Sequence, residues 1–331
     1  MTSPSTASPA RAPWWRQALV WLVGVGLLGL LLSQVPLDTA LAALRAPDAV
    51  TWAITLAGLV LSYVLRAARL QVVLGLDDTR PGARRWLGLR LDALRVILMH
   101  NAAVNLLPMR AGELSFPWLA SRHLGMPLDR SVASLLWMRL QDLAVLLALG
   151  ALCWPGLALH IRAGAVLMLG LGWWASVRLL ARLHARWASP TAADSLAGWR
   201  RVMGKLHTAL VDPHHHRMAA WGFTWANWTV KLAAGAGLLA AITATPWSSG
   251  WSGALTGELA AVVPVQGPAG FGTYEAGVWA GYALHLGPTA PQLPLVVPAA
   301  LALHVCFLLC AVGAGLLAWL LRPASAARIP D

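Results

Sequence analysis

The sequence predicts an all-α polytopic membrane protein, with six spanning helices and two opposed re-entrant helical hairpins in an inverted-repeat arrangement. Three observations carry this. Of the 331 residues, 58% are hydrophobic and only 11% charged, against about 25% charged in a soluble domain. The mean hydropathy is +0.62 and long runs are almost free of charge, so lipid must solvate the chain. Two segments rich in Pro, Gly and ionisable residues then interrupt the pattern at corresponding places in two halves. A water-soluble enzyme is excluded.

Residues 1–13 form a Ser/Pro/Ala-rich tail carrying Arg11, and Trp14–Ser33 reads as the first span of a single domain over 14–321. A signal peptide is the rival reading, but this apolar run exceeds the roughly 7–15 residues of a leader's apolar core. The second span, Ala49–Leu65, continues helically through Arg66 and Arg69, whose long stems can snorkel to the interface. Ser131–Trp154, Ala163–Leu180, Met218–Thr245 and Leu295–Leu321 complete six spans, and 322–331 is a second tail.

Basic residues are retained on the cytoplasmic side, so the loops set direction. The stretch 66–95 holds seven arginines against Asp77, Asp78 and Asp92, and 178–217 holds six arginines and Lys205 against Asp194 and Asp212. Both are therefore cytoplasmic. Gln34–Asp48, Pro155–Arg162 and Pro246–Gly253 carry only Arg45 and Arg162 together and suit the outer face, which leaves both tails inside. The net charge of +12 thus reports membrane orientation, with a further role in holding anionic headgroups. Nucleic acid is set aside as a partner. Cys153, Cys306 and Cys310 lie in apolar segments and offer neither a disulfide framework nor a metal motif.

Residues 96–120 and 254–286 fit no simple span. The first, flanked on both sides by cytoplasmic segments, is too short to cross and return, since each crossing needs about 20 residues. A re-entrant hairpin is the natural reading, and the second segment mirrors it from the outer side. Irregular backbone at membrane depth is tolerated only where protein or a wet cavity satisfies its polar groups. Two such segments from opposite faces fit the architecture in which broken helices meet at a substrate site near the midplane. The bland alternative is a pair of kinked ordinary spans.

Within these segments the candidate substrate-binding residues are those whose presence in lipid needs a reason. Arg110 and Glu113 are three apart, as are Arg139 and Asp142, so each pair shares a helix face. For the first pair the favoured role is a phosphate received by Arg110, with Glu113 as its resting partner, released when substrate arrives; for the second it is an internal salt bridge. Asn105, Pro108 and Gly112 surround the first break. Glu258 and Glu275 bracket the second and either pair across space with Arg110, Arg139 or Lys231, or are protonated. Gly267, Gly270 and Gly272 would let backbone approach a headgroup, and their N–H groups can form an anion nest; flexible loop is the alternative. His214, His215 and His216 read as a headgroup contact rather than a metal site, and no metal or cofactor is expected. Trp221, Trp225 and Trp228 share a helical face that packs or meets lipid.

Three runs carry a resemblance: Asn105-Leu-Leu-Pro-Met-Arg-Ala-Gly-Glu113, Arg139-Leu-Gln-Asp142 and Pro264-Val-Gln-Gly-Pro-Ala-Gly-Phe-Gly-Thr-Tyr-Glu275. Together they resemble the lysylphosphatidylglycerol synthase transmembrane region, or flippase-like, family. The resemblance implies a bacterial plasma-membrane protein that carries a lipid between leaflets, without the soluble synthase domain, so that a separate lipid-synthesising enzyme is an implied partner. Membrane lipids are the implied ligands: anionic or aminoacylated phospholipid, or polyprenyl-phosphate-linked. Met138 stands where many members have an acidic residue, and Ser115-Phe116-Pro117 replaces a frequent second Arg, which points to a different headgroup. The alternatives are a membrane-embedded lipid-modifying transferase, with Glu113 or Glu275 as base, and a non-transporting partner subunit.

Overall fold

The computed structural model describes residues 36–76, 85–86, 88–107, 112–187, 211–262 and 268–320. The expected span Trp14–Ser33 and the residues Pro108, Arg110 and Gly267 lie outside them. What is described is helical apart from a two-stranded turn, Arg85–Trp86 (β1) against Leu89–Arg90 (β2). A short α1 (Leu37–Arg45) leads to α2 (Ala49–Val73), whose start is capped by Asp48 accepting from the Thr51 N–H at 2.7 Å. After β1 and β2 come α3 (Leu91–Leu106), α4 (Ser115–Leu124), α5 (Leu128–Cys153) and α6 (Leu159–Trp187). The second half holds α7 (Met218–Thr243), α8 (Trp247–Ala260), α9 (Thr273–Leu286) and α10 (Leu293–Leu320), with one-turn 3₁₀ helices at Pro213–His216 and Pro268–Gly270.

Helices thus lie over five of the six expected spans. Three of them, α2, α5 and α10, are long and apolar enough to cross a membrane. Their outer faces carry exposed apolar side chains such as Val50, Ile54, Leu309 and Leu316, the surface that lipid would solvate. The order of lengths repeats: α2, α3, α4 and α5 have 25, 16, 10 and 26 residues, and α7, α8, α9 and α10 have 26, 14, 14 and 28. Each half is a long helix, two short ones separated by a break, and a long helix. At 1.5 Å per residue a 14-residue helix reaches only about 21 Å, short of a bilayer's apolar core of about 30 Å.

The short helices pair because glycines remove the obstacle. Gly253 and Gly257 on α8 lie in the same interface as Gly277 and Gly281 on α9, each pair four apart. A Cβ at Gly277 would stand 2.6 Å from that of Ala260, and one at Gly281 would collide with Thr256 Oγ1 and the Ser252 carbonyl oxygen. Facing small-residue pairs of this kind let helix backbones approach where no hydrophobic drive holds them together.

Two apolar clusters form the core. One joins α2, α3, α4 and the start of α5 through Leu70, Val96, Phe116 and Met138; the other joins the later part of α5 to α7, α8, α9 and α10 through Leu146, Leu239, Leu255 and Leu303. Between them runs a polar layer. On α5, Arg139 and Asp142 fall between Met138 of one cluster and Val145 of the other, and on α7, Thr224 and Asn227 fall between Ala220 and Trp228.

Candidate functional site

The polar layer opens into a cavity of about 1060 Å³, counting its mouth, walled by α2, α3, α5, α7, α8, α9, α10 and both helix breaks. Among the described residues its cations are Arg66, Arg139 and Lys231, and its carboxylates Glu113, Asp142 and Glu258.

Asp142 anchors the layer. Arg69 grips it with two nitrogens, Nη1 to Oδ1 at 2.5 Å and Nη2 to Oδ2 at 3.3 Å, Trp228 donates its indole N–H to Oδ1 at 2.9 Å, and Arg139 Nη1 reaches Oδ2 at 3.3 Å. Arg139 in turn holds Glu113 at 2.8 Å. The Arg139–Asp142 contact expected from spacing is present, but within a five-residue network. Glu113 is bound by Arg139, 26 positions along the chain; Arg110, the partner expected for it, and Pro108 lie outside the described residues. On the other wall Lys231 meets Glu258 at 2.6 Å, with the Trp228 and Phe307 rings within 5.3 and 4.7 Å of its ammonium. Aromatic faces favour a cation there.

Arg66 differs. Its Nε donates to Asn227 Oδ1 at 3.2 Å, its Nη1 donates to Asn101 Oδ1 at 3.1 Å, and its guanidinium lies 5.6 Å from the Trp228 ring centre. No carboxylate among the described residues is within ion-pair distance of it. Two amide oxygens orient this cation without neutralising it, and the amide nitrogens of Asn101 and Asn227 are buried donors without a partner among the described residues. A half-buried charge held only by neutral groups retains most of its desolvation cost and attracts an anion. The expectation that Arg66 and Arg69 snorkel to the interface is therefore corrected: α2 runs on to Val73, and its last turns carry both arginines into the polar layer because Asp142, Asn101 and Asn227 offer acceptors there.

Around the second break, Glu275 Oε2 accepts from the Gly272 N–H at 2.7 Å, and its Oε1 lies 2.7 Å from His304 Nδ1. His304 Nε2 lies 2.9 Å from the Ala269 carbonyl oxygen, and the ring stacks on Phe271 at 4.4 Å. Glu275 therefore pairs with a histidine of α10, which the alternatives drawn from the sequence did not include. Gly270 and Gly272 adopt φ +84°, and Ala269 takes φ 53°, a left-handed conformation costing an alanine about 1–2 kcal/mol. The Gly272 N–H goes to Glu275 rather than to an open nest; Gly267 lies outside the described residues. Gly112 is buried against the Ala103 and Val104 backbone, where any Cβ would clash, and so serves the close return of the chain at the first break. Asn105 lines the cavity while donating to the Asn101 carbonyl at 2.7 Å.

The histidine triplet is also corrected. His215 is fully buried, bonded to Ser134 at 2.9 Å and stacked on Trp137, and His214 Nδ1 lies 2.7 Å from Asp212. His215 thus docks the start of α7 on α5, out of reach of headgroups, while His214 and His216 stay partly exposed. Trp221 packs edge-on to Trp173 of α6, leaving Trp228 as the cavity aromatic of its face. Among the described residues, no cluster of His, Cys, Asp or Glu has the makings of a metal site.

Sequence reasoning missed Arg66, Arg69, Asn101, Asn227 and His304. The available signal was a pair of arginines continuing an apolar helix past its expected end and a histidine inside an uninterrupted apolar run. No protein-family model matches the chain, and no curated protein matches it.

Proposed function

We propose that this protein is a flippase-like membrane transporter that moves an anionic phospholipid or lipid-linked headgroup between leaflets while the acyl chains stay in the bilayer. On this reading the chain has six spans, the two broken segments are re-entrant from opposite faces, the halves are inverted repeats, and the membrane is the bacterial plasma membrane. Arg66 carries the proposal: among the described residues it is a cation without a carboxylate partner, in a cavity whose other described charges are matched. A phosphodiester would supply the missing charge and accept from its guanidinium and from Asn101.

The surrounding architecture supports the same reading. Helix pairs too short to cross the bilayer wall a polar cavity at corresponding positions of two halves, the layout in which a site is reached alternately from each side. The motif resemblance points to the same lipid-handling class. The test is exchange of fluorescent phosphatidylglycerol and of an aminoacylated phospholipid in proteoliposomes, measured by dithionite quenching of the outer leaflet. Exchange above protein-free vesicles that falls when Arg66 is replaced by Gln supports transport through this cavity. A lipid recovered with altered mass would establish the transferase reading instead.

A further inference from the structure

The described carboxylates of the cavity all have cationic partners, but the partners differ in kind. Asp142 and Glu113 are held by arginines and Glu258 by Lys231, groups that ordinarily stay charged to about pH 10 or beyond, and His100 Nε2 lies 3.6 Å from Glu113, outside hydrogen-bond reach. Glu275 faces His304. Imidazole is the side chain whose ordinary pKa, about 6.5, falls within the physiological range.

The ring's surroundings fix its proton count. A carbonyl oxygen only accepts, so the 2.9 Å contact with Ala269 requires a proton on Nε2. The 2.7 Å contact between Nδ1 and Glu275 Oε1 requires a second, whether it sits on the ring or on the carboxyl. When one proton leaves, a single N–H remains for two acceptors. One contact then becomes an oxygen facing a bare ring nitrogen, and the hold on Ala269 or on Glu275 weakens. Ala269 and Gly270 are cavity wall, so the pair's protonation reaches the cavity's shape.

It also reaches the cavity's charge. The titratable groups facing His304 from its neighbours are Tyr274 and Glu275 on α9, Glu258 on α8, Lys231 on α7 and Arg66 on α2. From further across, α5 and the residues before α4 present Arg139, Asp142 and Glu113; α3 lines the cavity with neutral Asn101 and Asn105, and α1 contributes no lining residue. Among the described residues Arg69 and Arg139 offset Asp142 and Glu113, and Lys231 offsets Glu258, leaving the positive charge of Arg66. The His304–Glu275 pair is neutral when protonated and carries one negative charge when not. Loss of its proton therefore cancels the charge that attracts an anion, and gain restores it. A proton and a monoanion favour each other's binding, and linkage makes that effect reciprocal.

We infer that His304 and Glu275 form a proton-binding site coupled to the anion site at Arg66, so that one proton crosses with each phosphate monoanion. This rests on the transport reading above. Phosphodiester lipid and free phosphate share the recognised chemistry; the cavity's place between apolar clusters favours the lipid, and the experiment separates them.

The full chain is reconstituted in phosphatidylcholine vesicles carrying fluorescent phosphatidylglycerol, with the membrane potential clamped and a gradient of about one pH unit imposed. With one proton per lipid, the label in wild-type vesicles settles with about a tenfold bias between leaflets relative to protein-free controls. Glu275→Gln, which keeps an acceptor for the Gly272 N–H, and His304→Gln both lose the bias. A parallel arm offers labelled inorganic phosphate and shows no accumulation. A readout independent of transport is hydrogen–deuterium exchange of the Gly270–Glu275 amides, corrected for intrinsic rates: protection falls as pH rises in the wild type and is flat in Glu275→Gln. Lipid exchange without bias in the wild type overturns the coupling and leaves the transport reading standing. No movement of either probe overturns both. Gradient-driven accumulation of phosphate overturns the lipid source, and protection that tracks pH equally in wild type and variant overturns the assignment of the proton site.

Discussion

Arg69 and Asp142, 73 positions apart, meet in a two-point ion pair at 2.5 and 3.3 Å, with each side chain only 7% exposed. The pair joins α2 to α5 at the depth where the two apolar clusters separate, and Thr224 and Trp228 of α7 bond to its two members. Three long helices are thus fixed at one point. Removing one partner of a buried pair leaves the other charged and unmatched, at a cost of about 3–5 kcal/mol. Arg69→Met and Asp142→Leu should each lower the thermal midpoint of the detergent-purified protein sharply. The double variant should recover much of the loss, since an apolar pair carries no stranded charge. Simple addition of the two single effects would show that they do not act as a pair.

Arg66 should behave differently, because its role is to meet a ligand. Its bonds to Asn101 and Asn227 join neutral groups whose loss is tolerable, whereas a charge-assisted bond to a phosphate is worth about 1.5–3 kcal/mol. Arg66→Gln is expected to slow lipid exchange roughly ten- to a hundredfold while shifting the thermal midpoint little. Arg66→Lys should recover only part of the activity, since a lysine cannot bond both asparagines and a phosphate in one plane. Exchange at the wild-type rate in the purified Gln variant would remove Arg66 from the site.

What the sequence made legible and what it hid follow from the range of each signal. Glu113, Arg139, Asp142, Glu258 and Glu275 stand out because ionisable groups are rare in apolar surroundings, and the breaks between α3 and α4 and between α8 and α9 are marked by Pro and Gly. Partner choice was hidden. Spacing offered Glu113 only Arg110, and gave no sign that Arg139, 26 positions on, also reaches it; Lys231 was one of several candidates for Glu258, and His304 was outside the set for Glu275. Those pairings depend on how α2, α5, α7 and α10 pack, which no local period encodes. Arg66 and Arg69 misled because arginines ending an apolar run usually reach for the interface, and only the acceptors across from them show otherwise.

The α8–α9 pair tests whether the broken segment depends on close approach. Gly281 sits where any Cβ would overlap Thr256 and the Ser252 backbone, and Gly253 where it would stand 2.6 Å from the Tyr282 ring. Gly281→Ala should cost about 1–3 kcal/mol through forced separation of the helices, visible as a lowered thermal midpoint. Gly88, where a Cβ meets nothing among the described residues but whose φ is +81°, gives a control in which backbone strain acts without helix approach. Equal effects of the two substitutions would mean that helix approach contributes nothing.

Outside the spans, the turn before α7 should respond to acid in two steps. Burial pushes the Asp212 carboxyl up, but the His214 N–H at 3.0 Å and ring at 2.7 Å, with the Arg130 guanidinium at 2.8 Å, outweigh it and hold the group below its ordinary range. A depressed carboxyl contributes stability above its unfolded value of about 3.9, lost as pH falls through the folded value. His216 is lowered chiefly by burial, against an opposing pull from Asp212, so its contribution is complete above about pH 6.5 and declines as pH falls below it. Thermal midpoints of the purified protein measured across acid pH should therefore decline gently below about pH 6.5 and steeply below about pH 4. Asp212→Asn should remove the second decline and keep the first. Identical profiles for wild type and Asp212→Asn would show that the Arg130–Asp212–His214 contacts do not anchor this turn.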